Sequence, residues 1–490
     1  MPDNINDAAR AIAKDILKFV NTTTATTIPP SRPQYIYDKI DEKTGKVTTH
    51  INFLLYADFL KNYFNIIYFN KTIYIYDHGL HFYRQQTNEI ETHLRNTIID
   101  YNVSSRLQNN LPEMRLQITS MGSYPEYPFN LNTTTIPVDN GVIKINYDTE
   151  TIELLPHSPE HLFTYKLSVK YNPDIKNCKA IFLLKRMVER EYIKTLIQIP
   201  AQALLQMQTG NSYKKAYLLQ GEPHAGKTSY LKLLYMLFGN EFTAAISLQQ
   251  LCEDRFVGGN LEGKLLNIYD DLEDVALQVI DQFKTLTGDC RHGIERKYEP
   301  KYTGRVTTVH IFTCNYPPEY PEKVKRDTAF WARWEYLKFP FAYPVNPNFY
   351  TEWYTDEILS SFFNLILSAM IAIRKYGLLA NSDIQEVMNN WSVNSDPLYD
   401  FIGSIFEQYD GKERKYYSKT KLYNEYITWC NGMEIPEHKR KNSMKAFTIA
   451  LQTHGFVPER KRERKENYEV FGTNSFCLKF NSSLNLDYHI

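Results

Sequence analysis

Cysteine, glycine, net charge and long apolar runs are all in short supply in this 490-residue chain. The 56 basic residues are matched by 56 acidic ones, so no global field draws the chain to nucleic acid, and any such contact must come from local basic patches. The six cysteines, at 178, 252, 290, 314, 430 and 477, form no CxxC pair and no Cys/His cluster. Neither a zinc site nor a disulfide framework is suggested, as expected of a reducing cytosol. The opening residues MPDNINDAAR carry acids where a signal peptide needs a basic stretch and then an apolar one. The most apolar run, FFNLILSAMIAI (362–373), is too short to span a bilayer and contains Asn364. A cytoplasmic chain without a membrane segment is the expectation. Glycine, at 20 residues, is sparse beside 37 tyrosines.

What is present is enough apolar sequence (43%) to build real cores, over a length that suits two to four domains. Residues 1–33 read as a helix followed by a linker: Ile5, Ala8, Ile12, Ile16 and Val20 share one helical face, and TTTATTIPPSRP is rich in Thr and Pro. Residues 34–178 mix short strands with helical stretches such as INFLLYADFLKNYF and end in a β-rich segment around 136–172. They read as a mixed α/β accessory domain with no catalytic spacing. Residues 179–385 begin with helices and then alternate apolar strands and helices, the pattern of an α/β core. Residues 396–490 form a last small domain.

One motif in the α/β core carries chemistry directly. AYLLQ (216–220) predicts a strand and SYLKLLYMLFG (229–239) a helix. Between them run Gly221, Glu222, Pro223, His224, Ala225, Gly226, Lys227 and Thr228, in the order G-x-x-x-x-G-K-[ST], with Ser229 next. Glycines let backbone N–H groups turn inward around phosphates, and the helix N-terminus adds partial positive charge. Lys227 would reach the β- and γ-phosphates of ATP, and the Thr228 hydroxyl would ligate Mg2+. About forty residues on, KLLNIYDDLED (264–274) is an apolar strand ending in Asp270 and Asp271. One carboxylate, taken as Asp270, should hold the magnesium while its neighbour orients or deprotonates the attacking water. TTVHIFTCNYPP (307–318) is a further buried strand ending in Asn315, whose amide suits a γ-phosphate sensor.

This compact order of phosphate loop, acidic strand and strand-Asn resembles the superfamily 3 helicases, and within them the poxvirus- and phage-type primase–helicase family. The segments FVGGNLEGKLLNIYDDL (256–272), LTGDCRHGIERKYEP (286–300), HIFTCNYPP (310–318), RDTAFWARWEYLKFPF (326–341) and NGVIKINYDTETIELLPHSP (140–159) add to the likeness, which covers most of the chain from about residue 50. The resemblance implies a P-loop AAA+-like ATPase core in a homo-oligomeric ring, a hexamer, translocating 3′ to 5′ on single-stranded or forked DNA. It also implies a separate primase or polymerase as partner. It assigns Arg333 of WARW as an arginine finger acting on the neighbouring subunit, with Arg326 as a second candidate. It assigns CRHGIERKYEPKY (290–302) as a DNA-gripping hairpin in which Arg291, His292, Arg296 and Lys297 are the DNA-binding candidates. Two departures stand out: Ala225 where the family has Asn or Gly, and Thr-Gly-Asp at 287–289 where it often has a doubled glycine. Neither removes a phosphate ligand.

The last domain shows helices, then strand-like YEVFGTN and FCLKF, and resembles the winged-helix ending of the same family. HKRKNSMK (438–445) and ERKRERK (459–465) are its basic patches, suited to phosphate contact. Two other readings share the motifs: a packaging or RNA-directed motor, and an ATP-binding origin-recognition or scaffold protein.

Overall fold

The computed structural model describes residues 32–122, 124, 127–176, 178–272, 277, 279–297, 301–320, 322–380, 382–398, 401–402, 416–433, 435 and 437–453, together with the strands 457–459, 463–465, 468–470 and 475–477. The helix and most of the linker expected over residues 1–33 lie outside these. The chain divides into two compact units, Met1–Pro128 and Phe129–Ile490.

The first unit is mixed α/β. A hairpin of Ile36–Ile40 and Val47–Ile51 leads into the helix Phe53–Phe64. Asn52 starts that helix by accepting bonds from the N–H groups of Leu54 and Leu55, two donors that would otherwise be orphaned. A three-stranded antiparallel sheet (Ile67–Phe69, Thr72–Asp77, Phe82–Gln85) and the helices Glu89–Asp100 and Leu107–Ser120 complete it. Tyr56, Leu60, Leu94 and Met114 have no exposed surface and form its core.

The β-rich stretch that the sequence groups with this accessory region lies in the second unit. Its antiparallel meander, Thr135–Val138, Gly141–Asn146 and Thr151–Leu155, is tied to the rest of that unit by polar bonds to residues distant in the chain. Gln208 donates to the Thr135 carbonyl at 2.9 Å, and the Tyr147 hydroxyl, in the turn before the third strand, donates to Gln208 Oε1 at 3.0 Å.

The centre of the second unit is a sheet of five strands: β1 (Ala216–Gln220), β2 (Thr243–Ala244), β3 (Leu266–Tyr269), β4 (Val309–Cys314) and β5 (Trp334–Lys338). All its pairings are parallel, and the spatial order is β5-β1-β4-β3-β2. Every residue of β4 is buried, as expected of a parallel strand covered on both faces. Inserting β4 and β3 between β1 and β2 brings the C-terminal ends of β1, β4 and β3 side by side. Open parallel sheets bind ligands at such a reversal of strand order.

Two long helices support this sheet: α1 (Ile193–Thr209) precedes β1, and α4 (Asp356–Tyr376) packs against α1. Between them in the chain come α2 (Lys227–Phe238) and α3 (Asp281–Gly288). α1 is buried along almost its whole length, and its polar residues are spent internally. Gln202 donates to Gln206 and accepts from the Tyr217 hydroxyl, while Gln206 donates to the Thr307 carbonyl at 2.8 Å. Among the described residues, α4 is the one helix long and apolar enough to cross a membrane. Its apolar residues, Phe362, Ile366 and Met370 among them, are packed into the core. On the other side of the sheet, Trp331, Trp334 and Trp391 are wholly buried, with the Trp391 ring in contact with both of the others. The tryptophans of WARW are therefore core residues.

Toward the C-terminus the helices Lys419–Gly432 and Met444–Thr453 share a small core of Leu422, Tyr426, Phe447 and Leu451. Antiparallel strands follow, with Ser475–Cys477 between Tyr416–Ser418 and Val457–Glu459. The basic segment 438–445 is less available than its composition suggests. Lys439 lies over the Tyr316 ring at 4.5 Å, Arg440 donates to Asn431 and to the Ile435 carbonyl, and Lys441 is 3.4 Å from Asp396. The side chains of the second patch, 459–465, lie outside the described residues.

His310 of β4 is fully enclosed, and neither ring nitrogen has a hydrogen-bond partner among the described residues. Burial, with a smaller contribution from His292, lowers its pKa to about 3. The folded state therefore binds fewer protons at this residue than the unfolded state, in which His titrates near 6.5. Its neutral form contributes stability fully above about pH 6.5, and that stability is lost as pH falls from there toward 3. The limiting slope is about 1.4 kcal/mol per pH unit. Urea unfolding between pH 7 and 4 is expected to show His310→Leu losing stability less steeply than wild type; equal slopes would contradict this account.

Candidate functional site

The phosphate-loop motif forms where the chain leaves β1 and enters α2. Gly221 is required by a close approach: a Cβ there would lie 2.4 Å from the Phe339 carbonyl oxygen. Gly226, the residue before α2, has φ of +94°, in the left-handed region that glycine adopts without strain. His224 also sits at positive φ (+65°).

The Lys227 side chain returns across the loop. Its Nζ donates to the Gly221 carbonyl at 2.5 Å, to the Glu222 carbonyl at 3.1 Å and to Asn315 Oδ1 at 2.8 Å. Burial lowers its pKa, against the pull of Cys314, Asp270, Asp271 and Glu222, which favour the charged form. Asn315 is held in turn, because Gln220 donates to its backbone carbonyl at 3.0 Å. Thr228 Oγ1 donates to Asp270 Oδ2 at 2.9 Å, and Thr313 Oγ1 donates to the other oxygen of the same carboxylate. Residues from the ends of β1, β4 and β3 thus form one bonded cluster.

Asp271 does not share the Asp270 bonds. Its φ of +59° is a sparsely populated conformation for a residue with a side chain. Its N–H donates to Thr313 Oγ1 at 2.8 Å, which holds the backbone there. Thr313 therefore ties both aspartates, a role the sequence analysis did not assign. The signal was available: Thr313 and Asn315 are two residues apart at the end of one strand and so project to the same side.

Among the described residues no group of three or more His, Cys, Asp or Glu comes together as a metal cage. A hydroxyl and one or two carboxylates do fit Mg2+, which keeps several waters and takes its remaining ligands from phosphate oxygens. Thr228 and Asp270 are the pair that would hold it.

The cluster opens into a cleft of about 460 Å³. Its lining includes Pro223 to Ser229, Asp270, Asp271, Thr313 and Asn315. Arg186, Met187 and the segment around Tyr343–Tyr350 complete the wall, and no local sequence pattern marks them.

Arg333 does not line this cleft. Its Nε donates to Thr287 Oγ1 at 2.9 Å and its Nη2 to the Lys284 carbonyl at 3.1 Å; Nη1 donates to the Ala329 carbonyl. The guanidinium thus caps the C-terminus of α3, where orphaned carbonyls and the helix dipole favour a cation. Burial lowers its pKa. Among the described residues, three of its five N–H donors are spent. Arg326 is exposed.

The segment expected to grip DNA is a hairpin, with Arg291–Ile294 pairing antiparallel to Tyr302–Arg305. The four candidates differ in exposure, and strand alternation separates the first two. Arg291 and Lys297 are exposed, whereas His292 faces inward, is 8% exposed and shares a hydrogen bond with the Asp289 carbonyl. Arg296 is paired with Glu262 at 2.9 Å. The Tyr302 hydroxyl donates to the same carboxylate, and Gly304 is needed beside it, since a Cβ there would lie 2.5 Å from Glu262 Oε1. Glu262 anchors the hairpin, and nothing in its sequence context marks it.

No curated protein matches this chain in sequence. Residues 57–190 match a family model described as D5 N terminal like, and residues 219–333 match a family of unknown function (DUF5906). The second match contains the loop, both aspartates, Asn315 and Arg333. Among solved structures, "The A form apo structure of NrS-1 C terminal region-CTR" is similar over 82% of this chain and 86% of its own, at 11% identity and a TM-score of 0.40. A second A-form apo structure of that region, CTR(305-718), is similar over 82% and 87%, at 14% identity and a TM-score of 0.37.

Replacing Thr313 by Val removes the hydroxyl that supports Asp270 and leaves the Asp271 N–H without its partner. The expected cost is about 1–3 kcal/mol in chemical denaturation. Thr313→Ser, which keeps the hydroxyl, is expected to recover most of it; a Ser variant as unstable as the Val variant would locate the effect in packing instead.

Proposed function

We propose that this chain is an ATP-hydrolysing DNA helicase of the superfamily 3 type, working in replication of a phage, virus or mobile element. The observation that carries the reading is the bonded cluster of Lys227, Thr228, Asp270 and Asn315, drawn from three strand ends at the reversal of strand order. The D5-type match over residues 57–190 supports the replication context. The order β5-β1-β4-β3-β2 supports an AAA+-like core over residues 179–385, and the helices and antiparallel strands after residue 396 support a winged-helix reading of the end of the chain.

In this reading Lys227 exchanges its loop carbonyls for the β- and γ-phosphates of ATP, and its contact with Asn315 couples the sensor amide to the same phosphates. Magnesium, when bound at Thr228 and Asp270, neutralises charge on the phosphate oxygens. The neighbouring Asp271 is exposed and free of the Asp270 bonds, placed to orient the attacking water or take its proton. Arg333, fixed by its cap on α3, serves the ATP of the adjoining subunit, so hydrolysis requires a ring, taken as hexameric. Arg291 and Lys297 on the hairpin contact the backbone of single-stranded DNA in the channel, with 3′-to-5′ movement carried over from the family resemblance. A cytoplasmic setting and a separate primase or polymerase partner belong to the same proposal.

ATPase and strand-displacement assays on forked DNA test this. Wild type is expected to do both, Lys227→Ala neither, and Arg333→Ala is expected to lose about 10³–10⁵ in hydrolysis rate. Mixing the two inactive variants should restore partial activity, because some interfaces then pair an intact loop with an intact arginine. Wild-type protein that hydrolyses ATP on a fork yet never separates strands would sink the helicase assignment.

A further inference from the structure

Two chemistries line the cleft, and the phosphate loop uses only one of them. Around Lys227 and Asp270 the wall is charged and polar. The rest is aromatic and aliphatic: Met187, Tyr343, Val345, Phe349 and Tyr350, with the guanidinium of Arg186 among them. Tyr343 and Tyr350 are each 38% exposed and Val345 is 76% exposed, so this apolar surface is open to a ligand.

It is also held against the loop. The Tyr343 N–H donates to the His224 carbonyl at 3.4 Å, and the Tyr354 hydroxyl donates to the Ser229 carbonyl. Lys232, one turn into α2, lies 3.6 Å from the centroid of the Tyr350 ring. The Arg186 guanidinium stacks over the Tyr343 ring at 4.9 Å, a cation–π pair formed without any ligand. Asn346, an amide on this wall, is engaged within its own loop through both ends: its Oδ1 accepts from the Asn348 N–H at 2.9 Å and its Nδ2 donates to Glu352 at 3.5 Å.

On the proposed reading of the loop as an ATP site, we infer that this aromatic wall holds the nucleobase, with the Tyr343 ring and the Arg186 guanidinium stacked on it as the platform. A triphosphate seated on Lys227 and Thr228 leaves the ribose and base to be accommodated in the same cleft. Its volume lies within the range of sites that enclose a small organic ligand. Stacking on an aromatic face tolerates any base, since every base has a π-face. With the local amide already committed, recognition rests on stacking more than on hydrogen bonds to the base edges. Nucleotide preference is therefore weak.

Titration calorimetry of the full chain with Mg·ATP, Mg·GTP and Mg·tripolyphosphate separates the base from the phosphates. Tyr343→Ala is expected to weaken ATP by about tenfold or more, the scale of a lost base stack, and to leave tripolyphosphate within about twofold. Tyr343→Phe should restore ATP binding, and wild type should bind ATP and GTP within about tenfold of each other. Equal loss of ATP and tripolyphosphate in Tyr343→Ala would overturn the inference, because Tyr343 would then act through the loop. Unchanged ATP binding in that variant, or strong discrimination between the purines by wild type, would overturn it as well. Wild type binding tripolyphosphate but not ATP would overturn the base site alone, whereas wild type binding neither would overturn the nucleotide reading on which it rests.

Discussion

The site depends on one buried cation. The Lys227 ammonium is too far from water to be left unpaired, and taking a charge out of water without partners is among the most expensive things a fold can do. Two loop carbonyls and the Asn315 amide oxygen meet that requirement. All three are neutral acceptors, so a bound phosphate would offer the ammonium a stronger, charge-assisted partner than it has now. The same constraint explains the strand order. Only with β4 beside β1 does Asn315 come within reach of the lysine, although 88 residues separate them.

Around that cation the fold commits its polar groups with little slack. Thr313 serves both aspartates, Gln220 steadies Asn315, and the glutamines of α1 link neighbouring segments of the core. Asp271 is held in a left-handed conformation by the bond from its N–H to Thr313. The basic residues follow the same economy. Arg333 caps a helix, Arg296 anchors a hairpin and Lys439 covers an aromatic ring, so charge counted in the sequence overstates charge offered to a partner.

Much of the site was legible in the chain because it is built from local patterns. An apolar strand, a glycine-bracketed loop, a Gly-Lys-Thr and an amphipathic helix are contiguous, and strands ending in Asp270 or Asn315 declare themselves by the switch from apolar to polar. The aromatic wall was not legible. Tyr343 and Tyr350 lie more than a hundred residues after the loop, in a chain with 37 tyrosines, and nothing local distinguishes them. The meander at 135–155 was misleading for a related reason: its strand pattern is clear, but the bonds that place it with the second unit run to a residue as distant in the chain as Gln208.

The sequence by itself determined which chemical groups are present and the short-range geometry that follows from backbone preference: the glycine turn, the helix start at Lys227 and the alternation of the hairpin. Tertiary structure decided which groups share a space. Side-chain availability is set by partners distant in the chain, and so the fold, not the residue type, turned His292 inward, committed Arg333 to the end of α3 and set aromatic residues beside the phosphate loop.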